Sequence, residues 1–214
     1  MFSGQGSQYP LMGLDFFSDS SNQDKIKIAN NIFGYDVLEV LTNNNNEFDS
    51  TRYTQNLIAL MEIFIFDHLK IKYQGLIGFS LGEIVALYAA NIYSFEETLK
   101  LVNYRSLIME EAVKKYPGKM AAIINFNEDI IEEICKSVNK VALVKVVNFN
   151  SKKQVVISGS KKGVDLALEK LKEVGAKRIV TLNVEAGFHT ELMKEAGSSL
   201  KLFASTLSKK KMQT

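Results

Sequence analysis

The residues of this 214-residue chain whose types and spacing bear on chemistry are a serine between glycines, a histidine in a glycine-bearing loop and an arginine inside a long helical run. Ser80 stands in Gly78-Phe79-Ser80-Leu81-Gly82, after the apolar pair Leu76-Ile77 and before the helical run 83–90. Strand, sharp turn and helix around G-x-S-x-G make a nucleophile elbow: the glycines leave room around the turn, and the hydroxyl projects at a helix N-terminus. The backbone N–H of Leu81 then faces the place where an oxyanion would develop, a donor worth roughly 3 kcal/mol of barrier. A serine hydroxyl is a weak nucleophile at neutral pH and needs a base. The sequence offers His68 and His189. His68 falls near the end of an apolar helix expected over 56–69, where a histidine more often caps or faces solvent. His189 lies in a loop, where a catalytic side chain can be presented freely, and the order serine then histidine agrees with a hydrolase-like site. The loop Gly4-Gln5-Gly6-Ser7-Gln8 fails the phosphate-binding patterns, since no Gly-Lys-Ser/Thr follows and the last glycine of G-x-G-x-x-G is missing. Its glycines still allow close backbone approach.

The elements that must position these residues follow from periodicity. Apolar residues at helical spacing predict a buried helix over 56–69, a second over 83–90 and a third over 95–115. The polar segment 15–50, with a helix near 22–33, Gly34 and the Asn43–Asn46 run, reads as excursion and loop. After the turn signal Tyr116-Pro117-Gly118 the pattern becomes strand 120–124, helix 128–138, strands 143–149 and 154–158, helix 164–174 and strand 178–182. That order, βαββαβ, matches the ferredoxin-like unit. The expected fold is therefore α/β: a hydrolase-like parallel-sheet body carrying the elbow, residues 1–117 and 183–214, with a ferredoxin-like subdomain inserted over 118–182.

Composition removes other classes. A net charge of +2 and short lysine clusters give no electrostatic case for nucleic acid. The single cysteine, Cys135, allows no internal disulfide, and two histidines cannot build a Cys/His zinc cluster. The N-terminus lacks a basic region followed by an apolar run, and the stretch 77–95 is interrupted by Ser80, Glu83 and Asn91. A cytoplasmic protein that neither enters nor crosses a membrane is expected.

Together, Gln5 in GQGSQ, Ser80 in GFSLGE, Arg105 in VNYRSLIMEEA, Asn148 in VVNFNS with VVISGS after it, and His189 in AGFH resemble the malonyl-CoA:acyl carrier protein transacylase family, which includes the acyltransferase domains of polyketide synthases. The resemblance runs from Phe2 to about Phe203. It implies that Ser80 takes a malonyl group from coenzyme A as an ester, and that His189 deprotonates Ser80 and then the phosphopantetheine thiol of an acyl carrier protein, for fatty acid or polyketide synthesis. It further implies an oxyanion hole at the N–H groups of Gln5 and Leu81, a carboxylate-binding Arg105, and a pocket lined by Gln55, Phe188 and Asn148. No metal or redox cofactor is implied, coenzyme A entering as substrate, and a monomer or a member of a synthase complex is expected. On the residues alone, Arg105 could equally pair with Glu110 or Glu111 on a helix surface, Gln55 could solvate a helix start, and Phe188 could be core.

The chain also departs from the family pattern. Phe79 stands where the family usually has His, which would tune activity, and Gly187 stands where Pro or Ala is common, which would loosen the loop presenting His189. Of the strand that normally precedes GQGSQ only Met1-Phe2 is present, and members continue beyond the histidine with segments that orient the imidazole. A shortened version, a fragment or a domain completed by a partner is expected. The same Ser-His pair also suits a serine hydrolase that uses water as acceptor, and the short ends suit a weakly active docking module for a carrier protein.

Overall fold

The computed structural model describes residues 1–43, 50–70, 72–184 and 186–211; most of the Asn43–Asn46 run lies outside them. The chain divides into two compact units, residues 1–110 with 199–214, and residues 111–198.

The first unit is built on helices. α1 (Leu14–Ser18), α2 (Gln23–Phe33) and α3 (Val37–Thr42) precede α4 (Thr51–Leu69), α5 (Gly82–Ala89) and α6 (Phe95–Lys115), the last entering the second unit at residue 111. The segment expected to be mainly loop is thus mainly helix. Its helices are short and polar outside, but they bury Phe17, Ile26, Ala29, Phe33, Val37, Val40 and Leu41 against the core. Local caps delimit them: Gly34 closes α2 in the left-handed region, and the Asp36 carboxylate accepts from the N–H groups of Leu38 and Glu39 to open α3. The hub of the core is α4, whose Leu57, Ile58, Ala59, Leu60 and Ile63 are fully buried. Ahead of Ser80 the expected strand is much reduced. Phe2 and Gly78 form a single parallel bridge, Phe2 N–H donating to Ile77 O at 2.8 Å and Phe79 N–H to Phe2 O at 3.0 Å. Among the described residues this bridge is the only parallel pairing.

The second unit holds β1 (Gly118–Ile124), α7 (Glu128–Val138), β2 (Val144–Ser151), β3 (Gln154–Ser160), α8 (Lys161–Glu173) and β4 (Arg178–Thr181), followed by α9 (Lys194–Thr206), which passes back into the first unit. The strands form one sheet in the order β2-β3-β1-β4 with every neighbouring pair antiparallel. Ala121 and Ile123 of β1 and Val155 and Ile157 of β3 share one core with Ile131, Cys135 and Val138 of α7 and Val164, Ala167 and Leu171 of α8. The period of two in the strands and the apolar stripes of α7 and α8 therefore meet in one layer pair. Burial pushes the Cys135 thiol up to about 12, which keeps it protonated and unreactive at neutral pH. No helix among the described residues is long and apolar enough to cross a membrane, and none of their side chains group into a potential metal site.

Candidate active site

Ser80 holds a φ of +54°, a left-handed conformation that costs an L-residue about 1–2 kcal/mol and aims its side chain out of the turn. The flanking glycines are forced by contact. A Cβ on Gly78 would lie 2.2 Å from Glu83 N and Gly82 C, and one on Gly82 would lie 2.5 Å from Phe2 O. The turn closes through Gly82 N–H to Phe79 O at 3.0 Å and Glu83 N–H to Ser80 O at 3.2 Å, leading directly into α5. Leu81 is fully buried at the cap of that helix, where backbone N–H groups lack intrahelical acceptors and carry the positive end of the macrodipole.

Arg105 reaches this elbow from α6. Its guanidinium donates through Nη2 to Ser80 Oγ at 3.0 Å and through Nη1 to Gln55 Oε1, and the residue is only 9% exposed. It is therefore turned inward and is not a surface partner of Glu110 or Glu111. Gln55 is fully buried on α4, so it does not solvate a helix start; its Nε2 donates to Met109 Sδ at 3.5 Å. Burial pulls the Arg105 guanidinium down to about 10, against a smaller opposing pull from the Glu83 carboxylate, and it stays a cation at neutral pH.

The rotation of α6 that turns Arg105 inward has its own cause. Leu99, Val102, Arg105 and Ser106 recur at helical spacing on one buried face. A polar seam locks that face to α4: Asn56 Nδ2 donates to Asn103 Oδ1 at 3.0 Å, Asn103 Nδ2 to Ile32 O at 3.0 Å, and Ser106 Oγ to Asn103 O at 2.8 Å. Buried polar groups satisfied in this way admit few alternative rotations. Gln5 belongs to the same unit, its Nε2 donating to Thr51 Oγ1 at 3.4 Å.

Residues 1–214 match the sequence profile described as acyl transferase domain. The chain belongs to the acyl transferase domain family. It is 34% identical over 198 residues to a malonyl CoA-acyl carrier protein transacylase of Staphylococcus aureus, matching 91% of this chain and 64% of that protein. The chain therefore spans slightly less than two thirds of that relative's length. The crystal structure of MCAT from Streptococcus pneumoniae superposes with a TM-score of 0.90 at 35% identity, covering 99% of this chain and 70% of that one. A type II PKS acyl-carrier protein in complex with its malonyl-transacylase gives a TM-score of 0.88 at 32% identity, with coverages of 98% and 70%.

Within the acyl transferase domain, the first unit brings together Ser80, Leu81, Gln5, Gln55 and Arg105, and the second carries the other expected site residues. His189 is exposed in a turn at φ +62°. Phe188 before it is 7% exposed and its carbonyl accepts from Ser158 Oγ at 2.7 Å, so the backbone next to the histidine is tied to β3. Gly187 is a tight position and not a loosened one. A Cβ there would lie 2.5 Å from Leu192 Cδ1 and 2.9 Å from Gly159 O, and its carbonyl accepts from Thr190 Oγ1 at 2.6 Å. Asn148 is half-buried on β2, next to a break in the register with β3.

Reasoning from sequence missed Glu62, a carboxylate of α4 that is 9% exposed and bonded to Ser3 at the start of the GQGSQ loop. The signal was available: Glu62 interrupts the apolar run Leu60-Met61-Glu62-Ile63-Phe64, where a carboxylate is expected only with a polar partner.

Proposed function

We propose that this chain moves a malonyl group from coenzyme A to the phosphopantetheine thiol of an acyl carrier protein through an ester on Ser80. The observation that carries the reading is the buried Arg105 guanidinium, 3.0 Å from Ser80 Oγ and braced by Gln55. A cation so close to the nucleophile suits an acyl group that ends in a free carboxylate, which a planar guanidinium binds as a bidentate pair. The proteins named malonyl CoA-acyl carrier protein transacylase among its relatives point to the same substrate, and the transacylase solved with its carrier protein points to the same acceptor.

In the proposed reaction, Ser80 Oγ attacks the thioester carbonyl while its proton passes to His189. The oxyanion is held by the N–H groups of Gln5 and Leu81. The C–S bond then breaks, and coenzyme A leaves as a thiol with the proton from His189. The carrier's thiol, deprotonated by His189, attacks the ester in turn, and Ser80 regains its proton. Gln55 holds the guanidinium, while Phe188 and Asn148 line the acyl pocket. No resident cofactor is required, because coenzyme A and phosphopantetheine arrive on the reactants.

The same reading treats residues 1–117 and 183–214 as a hydrolase-like catalytic body and 118–182 as a ferredoxin-like subdomain. The strand order β2-β3-β1-β4 under α7 and α8 supports the latter, and the elbow supports the former.

The test is intact-mass spectrometry after brief incubation with malonyl-CoA or acetyl-CoA. A malonyl adduct absent in Ser80→Ala, and transferred to added carrier protein faster than it hydrolyses, is expected. Adduct loss to water at the same rate with and without carrier would make the chain a hydrolase.

A further inference from the structure

The proposed reaction leaves the buried carboxylate of Glu62 unused. On α4, in the middle of a core of Leu60, Ile63 and Phe64, its carboxylate is turned toward the first residues of the chain. One oxygen, Oε1, accepts from both Ser3 N–H and Ser3 Oγ–H, the latter at 2.8 Å. Ser7 Oγ lies 2.9 Å from both Ser3 Oγ and Gly4 O, and since the Ser3 hydroxyl proton is given to Glu62, the single Ser7 proton serves one of these two acceptors at a time, tying Ser7 back to the start of the loop that contains Gln5. Gly4 itself is seated on the elbow, where a Cβ would come 2.8 Å from Phe79 O. Just before the loop, Phe2 is joined to the elbow strand by its two backbone bonds. Among the described residues the second oxygen, Oε2, is buried and has no hydrogen-bond partner.

Burying a carboxylate with one oxygen unsatisfied opposes folding, so Glu62 is a poor choice for stability. What it provides is a fixed acceptor for a backbone N–H two residues before Gln5. We infer that Glu62 is a positioning residue: it fastens the residue 3–7 loop against the nucleophile elbow and thereby places the Gln5 N–H where the oxyanion forms. The inference rests on the acyl-transfer reading for the role of that N–H. Glu62 itself touches no reacting atom. Two features of the carboxylate follow from this role. The acceptor oxygen matters and the charge does not, and the distance from α4 to Ser3 matters to within about the length of one methylene.

The test compares the full chain with Glu62→Gln, Glu62→Asp and Glu62→Ala after thermal melts. Two rates are read: acylation of Ser80 by malonyl-CoA in a single turnover, and labelling of Ser80 by a fluorophosphonate, in which the Oγ–P bond forms and fluoride leaves. Outright loss of one oxyanion donor costs about 10²–10³ in rate, so a displaced loop in Glu62→Ala is expected to slow both reactions by about 10- to 100-fold. The malonyl-CoA concentration for half-maximal acylation stays within about twofold, because the donor acts on the transition state and not on substrate binding. Glu62→Gln keeps an acceptor oxygen at the same reach and stays within about threefold of the parent, whereas Glu62→Asp withdraws it and slows both reactions by about tenfold.

Glu62→Asp at the parent's rate with Glu62→Gln impaired overturns the inference, since charge and not reach would then matter. A loss confined to half-saturation also overturns it. If Glu62→Ala does not fold, the Gln and Asp pair decides alone. A parent chain labelled by the fluorophosphonate but not by malonyl-CoA overturns the acyl-transfer reading, and the phosphonate rates still decide the role of Glu62. A parent labelled by neither overturns both.

Discussion

Replacing Arg105 by Ala removes the cation beside Ser80 and tests the basis of substrate selection. In the free chain the guanidinium gives one N–H to Ser80 Oγ at 3.0 Å and another to Gln55. A malonyl carboxylate arriving in a bidentate pair gains two bonds to a charged group, together about 3–6 kcal/mol, and displaces the charge-assisted bond to the hydroxyl, about 1.5–3 kcal/mol. The net difference of about 1.5–3 kcal/mol converts, at 1.4 kcal/mol per factor of ten, to roughly 10- to 140-fold in kcat/KM for malonyl-CoA. Acetyl-CoA offers no carboxylate, so its kcat/KM is expected to change by no more than about fivefold, the scale of a neutral contact near 1 kcal/mol. The malonyl-to-acetyl ratio, read from competing acylation of Ser80 by intact mass, should therefore collapse. Arg105→Lys restores the charge as a point without the fork and should give an intermediate ratio. A folded Arg105→Ala chain with the parent's ratio would refute the argument and leave the guanidinium as a brace for Gln55.

Further outcomes follow from the elbow and from Glu62. Because Ser80 sits at φ +54°, Ser80→Gly should unfold at higher denaturant than Ser80→Ala, by about 1 kcal/mol; equal stability of the two inactive chains would mean the turn relaxes. Burial raises the Glu62 carboxyl above its ordinary value of 4.5, against a smaller downward pull from the Ser3 bonds. The folded state then holds this proton more tightly than the unfolded chain. The stability that this contributes is present below the ordinary value and lost as pH rises through the folded value. Relative to Glu62→Gln, the parent should lose stability as pH is raised above 4.5, and denaturant titrations giving a pH-independent difference would contradict the burial.

Legibility in the sequence tracked how local the cause was. The elbow could be read from five residues because its first glycine answers to atoms only a few positions away, as the 2.2 Å approach of Gly78 to Glu83 N shows. α6 and α7 run over 95–115 and 128–138 as their periodicity predicts, and the βαββαβ order of the second unit was visible in the alternation of periods. What escaped depends on distant partners. α2 answers to the helix expected near 22–33, but α1 and α3, five and six residues long, are too short for periodicity to declare and depend on the core they share with α4. The inward turn of Arg105 depends on the Asn56–Asn103 seam, which joins residues far apart in the chain. Gly187 read as slack because nothing in its neighbourhood of sequence reveals that Gly159 O lies against it. The strand ahead of Ser80 was overestimated, since two apolar residues do not secure a neighbour to pair with.

The bond from Arg105 to Ser80 Oγ gives the resting chain a form of idle-state protection. While the guanidinium occupies a lone pair of the nucleophile, that oxygen is a poorer attacker of neutral esters and thioesters. An incoming carboxylate draws the guanidinium to itself and releases the lone pair. On the acyl-transfer reading, recognition and activation are one exchange of partners around a single cation: the acyl group that fits also unlocks the oxygen that will carry it.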